Sequence, residues 1–255
     1  MKTLRLAAAA GCVLLAAACG PSGTKAEQAT QSPSPSAPRP VPAADKGPEC
    51  VGDPAAKGLH VLRGGYVQLP GGAGPVLYKE AGADGTTRTA VLTNGTTTGT
   101  AQAGNGTETW PVVQGQTLTV GGGAYTVSQI CTYRVVLTPK DQKTVTEAPK
   151  PSSEPTWPSL NEGRFRLRWH VPNNEYNGQY SAVVTEINPG PTADINIASR
   201  DVGGAIYRDA RIGDTLEFAG RLWKVSVIDV GDGNPDGSNP NSGYVDLQLI
   251  GPSGG

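Results

Sequence analysis

The chain has 255 residues and a formal net charge of −1, with 35 glycines and 22 prolines against two phenylalanines and one methionine. Charge this near balance exerts no global pull toward nucleic acid or anionic surfaces, and glycine-rich turns with few helix-forming runs exclude a helical bundle and indicate an all-β protein. The only histidines are His60 and His170, with no His-Glu-x-x-His run, Gly-x-Ser-x-Gly elbow or glycine loop opening a helix, so the expectation is a non-enzyme without a cofactor.

At the start, Lys2 and Arg5 lead the apolar run Leu6–Ala18, which is 13 residues long. A bilayer needs about 20, and a short apolar run ending in small residues is the form of a cleavable signal. Residues 1–18 therefore read as a signal peptide, and no later stretch is apolar enough to cross a membrane. Leu15-Ala16-Ala17-Ala18-Cys19 resembles the lipobox of bacterial lipoproteins, in which the cysteine sulfur receives a diacylglyceryl group. The match departs from the usual pattern by placing Ala16, not leucine, three positions before the cysteine. The resemblance implies that Cys19 is lipidated and that the mature chain sits on the outer face of the cytoplasmic membrane, since two acyl chains anchor stably. Plain secretion is the alternative.

Residues 19–48 lack aromatics and are rich in Pro and Ser. Such a segment buries too little surface to fold and reads as a lipid-anchored stalk. A second break of the same character, 140–159, links two β domains at 49–139 and 160–255. Cys12 leaves with the signal and Cys19 with the lipid, so an oxidising exterior pairs Cys50 with Cys131.

The two domains read as tandem copies, each a small β-sandwich or barrel. The run Gly115–Ser128 aligns without a gap with Gly213–Ser226, 98 positions later, matching Leu118 to Leu216, Tyr125 to Trp223 and Val127 to Val225. Upstream, Val67–Pro70 parallels Trp169–Pro172. Leu118/Val120 and Tyr125/Val127 alternate with polar residues about a glycine turn, which predicts a hairpin with one buried face. Leu216/Phe218 and Trp223/Val225/Val227 repeat it. Cys131/Tyr133/Val135/Leu137 and Val245/Leu247/Leu249 read as further alternating strands. Layout, lipobox and these Gly-x-Thr-Leu hairpins together resemble uncharacterised actinobacterial secreted lipoproteins, a likeness that implies no activity.

Candidate functional residues follow. Period-two geometry puts Arg164, Arg166, Arg168 and His170 on one face of a strand and Phe165, Leu167, Trp169 and Val171 on the other. Arginine forks bind phosphate and carboxylate groups, so the row is a candidate dock for an anionic envelope polymer. The competing reading is a solvated edge, charged against aggregation or neutralised by acids across the sheet. Asp232, Asn234, Asp236 and Ser238 follow the first half of a calcium loop, although Gly243 stands where the bidentate glutamate belongs. Turn formation explains the same residues. Of the aromatic residues, Trp169 and Trp223 occupy core positions, Trp110 and Tyr244 complete the set, and Trp157 lies in the linker with its role open.

The function expected is a membrane-tethered binding or interaction module of the cell envelope, its partners the membrane and an anionic polymer or envelope protein, with no nucleic acid. The alternatives are an envelope hydrolase with a carboxylate pair, which depends on distance in space, and a calcium-stiffened spacer.

Overall fold

The computed structural model describes residues 47–70, 74–95, 108–141, 163–174, 180–199, 203–232 and 242–253. Residues 19–46 of the stalk, Cys19 among them, Trp157 and the calcium candidates Asn234, Asp236 and Ser238 lie outside them.

The protein is all-β, as expected. The first half contains β1 (Cys50–Gly52), β2 (Leu59–Leu62), β3 (Tyr66–Gln68), β4 (Pro75–Ala83), β5 (Arg88–Asn94), β6 (Thr109–Val113), β7 (Thr117–Val120), β8 (Gly123–Cys131) and β9 (Arg134–Pro139). The second contains β10 (Arg164–Arg168), β11 (Tyr180–Asn188), β12 (Thr192–Ser199), β13 (Ala205–Arg211), β14 (Thr215–Phe218), β15 (Arg221–Gly231) and β16 (Ser242–Pro252). Among the described residues each half is built from two antiparallel sheets. In the first, β1-β8-β9-β2, with β7 also on β8, faces β3-β4-β5-β6; in the second, β10-β16-β15-β14 faces β11-β12-β13.

The predicted hairpins form. Leu118 lies opposite Tyr125, and Leu216 opposite Trp223. Gly121 and Gly122 turn the first with φ of 58° and 79°, and Ala219 and Gly220 turn the second with 51° and 69°. Two consecutive residues at positive φ match the twist of the paired strands. Glycine adopts that conformation without strain, whereas Ala219 carries a Cβ into it.

Strand pairing recurs between the halves. A bulge interrupts β8/β9 between Val127 and Gln129, and β15/β16 between Val225 and Val227. The isolated parallel bridge Arg63–Tyr78 has its counterpart in Trp169–Val184, and the Val67–Val76 pair in Asn173–Ala182. Arg63 thus corresponds to Trp169, and Val67 to Asn173. The upstream alignment read from the sequence is four residues out, because the shared proline does not occupy the same place in the ladder.

One predicted strand is broken. Cys131 ends β8, Thr132 and Tyr133 turn the chain, and Arg134 begins β9. Cys131 and Tyr133 therefore pack against the core of the second half, while Val135 and Leu137 pack into that of the first. Cys50 and Cys131 are disulfide-bonded and directly opposite in the β1/β8 ladder, with Cα atoms 4.0 Å apart.

The halves meet through backbone as well as side chains. Ile206 N–H donates to Arg63 O at 2.9 Å. A Cβ on Gly65 would collide with the Gly204 carbonyl, and one on Gly203 with that of Tyr66. This approach buries both faces of β9 and β14: Arg134 through Leu137 and Thr215 through Phe218 are all buried.

Candidate functional site

Strand β10 carries the cationic face that its sequence implies. Arg164, Arg166 and Arg168 are exposed, and Phe165 and Leu167 are buried. The face points outward because Phe165 packs on Phe218 and Trp223, ring centroids 6.4 and 5.9 Å away, in the core beneath. The row ends sooner than expected. His170 leaves the strand at φ 58°, its N–H donating to Val184 O at 2.8 Å and its Nε2 lying 2.8 Å from Thr185 O. It occupies the turn where the first half has Gly64, so the strand side holds three cations, not four.

The three arginines differ. Arg166 makes a two-pronged bond to Asp246, Nε to Oδ1 at 2.7 Å and Nη2 to Oδ2 at 2.8 Å, and its guanidinium lies 3.5 Å from the Tyr244 ring centroid. The Asp246 hydrogen bonds hold the Arg166 pKa above its ordinary value. Register explains the pairing, since Asp246 is the residue of β16 directly across from Arg166. Neutralisation across the sheet, the competing reading, thus holds at this position. Arg168 has no such partner among the described residues. It stands at the end of β10 beside an open groove lined with Arg166, Val171, Pro172, Asn173 and Asn174. Asp232 begins its loop at the end of β15; no cluster of three metal-ligating His, Cys, Asp or Glu side chains occurs among the described residues.

A second cluster was not apparent from the sequence. Glu217 of β14 is 4% exposed and Arg134 of β9 is 3% exposed. Arg134 Nη1 donates to Glu217 Oε2 at 2.9 Å and to Ser253 O at 2.7 Å; Nε and Nη2 donate to Gln129 Oε1 at 2.9 and 2.7 Å. His60 Nδ1 lies 2.6 Å from Glu217 Oε1. A carboxylate oxygen accepts, so Nδ1 is the donor of this pair. Tyr207 closes the network from the other side, its hydroxyl donating to Glu217 O at 2.7 Å and accepting from Glu217 N–H at 3.1 Å. Burial, then the nearby Glu217 charge, pushes the Tyr207 hydroxyl far above its ordinary pKa.

This arrangement joins the two halves: one buried carboxylate from the second neutralises one buried guanidinium from the first. A cavity of about 240 Å³ lies alongside, lined by His60, Leu62, Val67, Tyr180, Phe218 and Ala219 among others. His60 Nε2 is buried with no hydrogen-bond partner among the described residues. The sequence offered no signal for it: Glu217 takes the strand face opposite Leu216 and Phe218, where a solvated glutamate is ordinary. Its partners lie 83 and 157 residues away.

Of the aromatic set, Trp223 is fully buried and stacks on Phe218 at 5.2 Å. Trp110 and Trp169 are partly buried against the two cores. No family model, curated protein or solved structure matches this chain.

Proposed function

We propose that the chain is a lipid-anchored envelope protein whose double-β body works as a binding module, with the outer face of β10 docking an anionic envelope polymer. The observation that carries this reading is Arg168, an exposed guanidinium with no counter-charge among the described residues, at the mouth of a groove that adds Asn173 and Asn174. Arginine forks there suit phosphate or carboxylate repeats. Arg166 serves chiefly to hold β10 on β16 and to cover Tyr244. Support for the location comes from the lipobox-like run at Cys19, and the Cys50–Cys131 bond accords with an oxidising compartment. The recurrence of strand pairing supports two copies of one unit.

The test is retention of the chain from Pro48 onward on an immobilised phosphodiester polymer as salt is raised. Retention should fall with ionic strength, and Arg168→Ser should weaken it most. Arg166→Ser should lower stability by about 1–2 kcal/mol, less than a fully buried pair because Arg166 is half exposed while Asp246 is not. Retention unchanged by Arg168→Ser would remove this face from the function.

A further inference from the structure

A groove of about 650 Å³ opens along the seam between the halves, lined by charged side chains of both signs. The first half supplies Glu49, just before β1, and Arg63, just after β2. The second supplies Arg208, Asp209 and Arg211 of β13 and Asp214 of the turn that follows. Arg88 belongs to the floor, 1% exposed, its Nε donating to Pro48 O at 2.6 Å. Nearer the solvent, Arg63 Nη1 donates to Thr132 O at 3.3 Å, and Arg208 Nη1 lies 3.9 Å from Asp194 Oδ2 with its side chain 68% exposed.

The first half provides an internal control for these charges, because the turn Arg211–Asp214 is the counterpart of Val113–Gln116. Gly213 N–H donates to Val225 O at 2.8 Å as Gly115 N–H does to Val127 O at 2.7 Å. Asp214 N–H donates to Arg211 O at 3.0 Å as Gln116 N–H does to Val113 O at 3.2 Å. Even the side-chain bond recurs: Asp214 Oδ2 accepts from Arg211 N–H at 2.8 Å, and Gln116 Oε1 from Val113 N–H at 3.1 Å. The first half thus builds this turn from a neutral amide and a valine. The fold requires an acceptor at Asp214 but neither the carboxylate charge there nor the guanidinium at Arg211. Desolvation by its neighbours raises the Asp214 pKa, so the charge stands where it is costly to keep. A costly charge that an equivalent turn does without points to a ligand.

We propose that this groove binds a short zwitterionic peptide, its carboxylate taken by Arg63 and Arg208 and its ammonium by Glu49 and Asp214. Carboxylates on both banks repel a polyanion, and the arginines repel a polycation. A ligand with one charge of each sign meets a partner for both, and arginine forks suit a carboxylate. Ile212, 56% exposed at the tip of the turn, offers apolar contact to a side chain of the ligand. A cavity of about 150 Å³ holds benzene, so the groove accommodates about 25 non-hydrogen atoms, a peptide of about four small residues. The site shares no lining residue with the groove beside β10 and does not depend on it.

The test is calorimetric titration of the full chain with tetra-alanine, free at both ends, and with its N-acetyl and C-amide forms. Capping either end should weaken binding roughly 10-fold or more. Arg208→Gln should weaken binding of the free peptide and of the N-acetyl form but not of the amide. Asp214→Asn, which keeps the acceptor that the turn requires, should weaken binding of the free peptide and of the amide but not of the N-acetyl form. A loss in Asp214→Asn that is the same for all three peptides means a structural effect and overturns the proposal. So does a titration that shows no saturation by about 10 mM, or one affinity shared by all three peptides. Full affinity of the N-acetyl form, with loss on amidation only, makes the groove a plain anion site and overturns it equally.

Discussion

Removing the Glu217 carboxylate perturbs the joint between the halves at its most charged point. In Glu217→Leu, Arg134 keeps its bonds to Gln129 and Ser253 but loses the only carboxylate bonded to it among the described residues, while its own burial is set by the same packing. Removing one partner of a buried ion pair costs about 3–5 kcal/mol, because the surviving charge stays in a medium that solvates it poorly. The double variant Arg134→Met/Glu217→Leu leaves no uncompensated charge. Its main costs are Gln129 Oε1, buried without a donor, and His60 Nδ1, left without its carboxylate, each worth about 1–3 kcal/mol, the second being shared with Glu217→Leu. The double variant should therefore be more stable than Glu217→Leu alone. Urea unfolding followed by two optical probes gives the midpoints and slopes, and coincident curves justify a two-state treatment. If the two single losses add in the double variant to within about 0.5 kcal/mol, the charges are not coupled and the joint does not rest on this pair.

Three further outcomes follow from the structure. Reducing the Cys50–Cys131 bond opens a loop with a sequence separation of 81 residues and should lower stability by up to about 4–4.5 kcal/mol, read as a fall in melting temperature in reductant that Cys50→Ala/Cys131→Ala reproduces. Trp223→Ala empties a fully buried site between Phe165 and Phe218 and should cost about 3–5 kcal/mol; a loss below 1 kcal/mol in urea unfolding would mean that the aromatic cluster does not organise that core. Asp214 sits at an exposed turn, yet desolvation by its neighbours raises its carboxyl pKa, so its protonated form is favoured in the fold. Its contribution is fully present below the unfolded carboxylate value of about 4 and is lost as pH rises through the higher folded value. Asp214→Asn retains an acceptor for Arg211 N–H and should match the unaltered chain at pH 3 but gain on it at pH 7. A gap that does not change with pH would contradict this.

Period-two alternation was enough to place both hairpins and the β10 face, because a half-buried strand writes its buried side into every second residue. Phe165, Leu167, Leu118 and Val120 all obey it. The pairing of Cys50 with Cys131 was legible too, since arithmetic left no other partners in the exterior compartment expected for the chain. Alternation failed where a second layer covers the outward face. Arg134 and Glu217 sit at positions that a lone sheet would leave in water, and only contact between the halves buries them and sets one against the other. The same contact divides Cys131 and Tyr133 from Val135 and Leu137, which read as one strand in the sequence but feed two cores. Which arginine of β10 Asp246 neutralises was likewise a tertiary matter. Asp246 meets Arg166 rather than Arg168 because of the β10/β16 register, and register depends on strand partners distant in the chain, which local pattern does not encode.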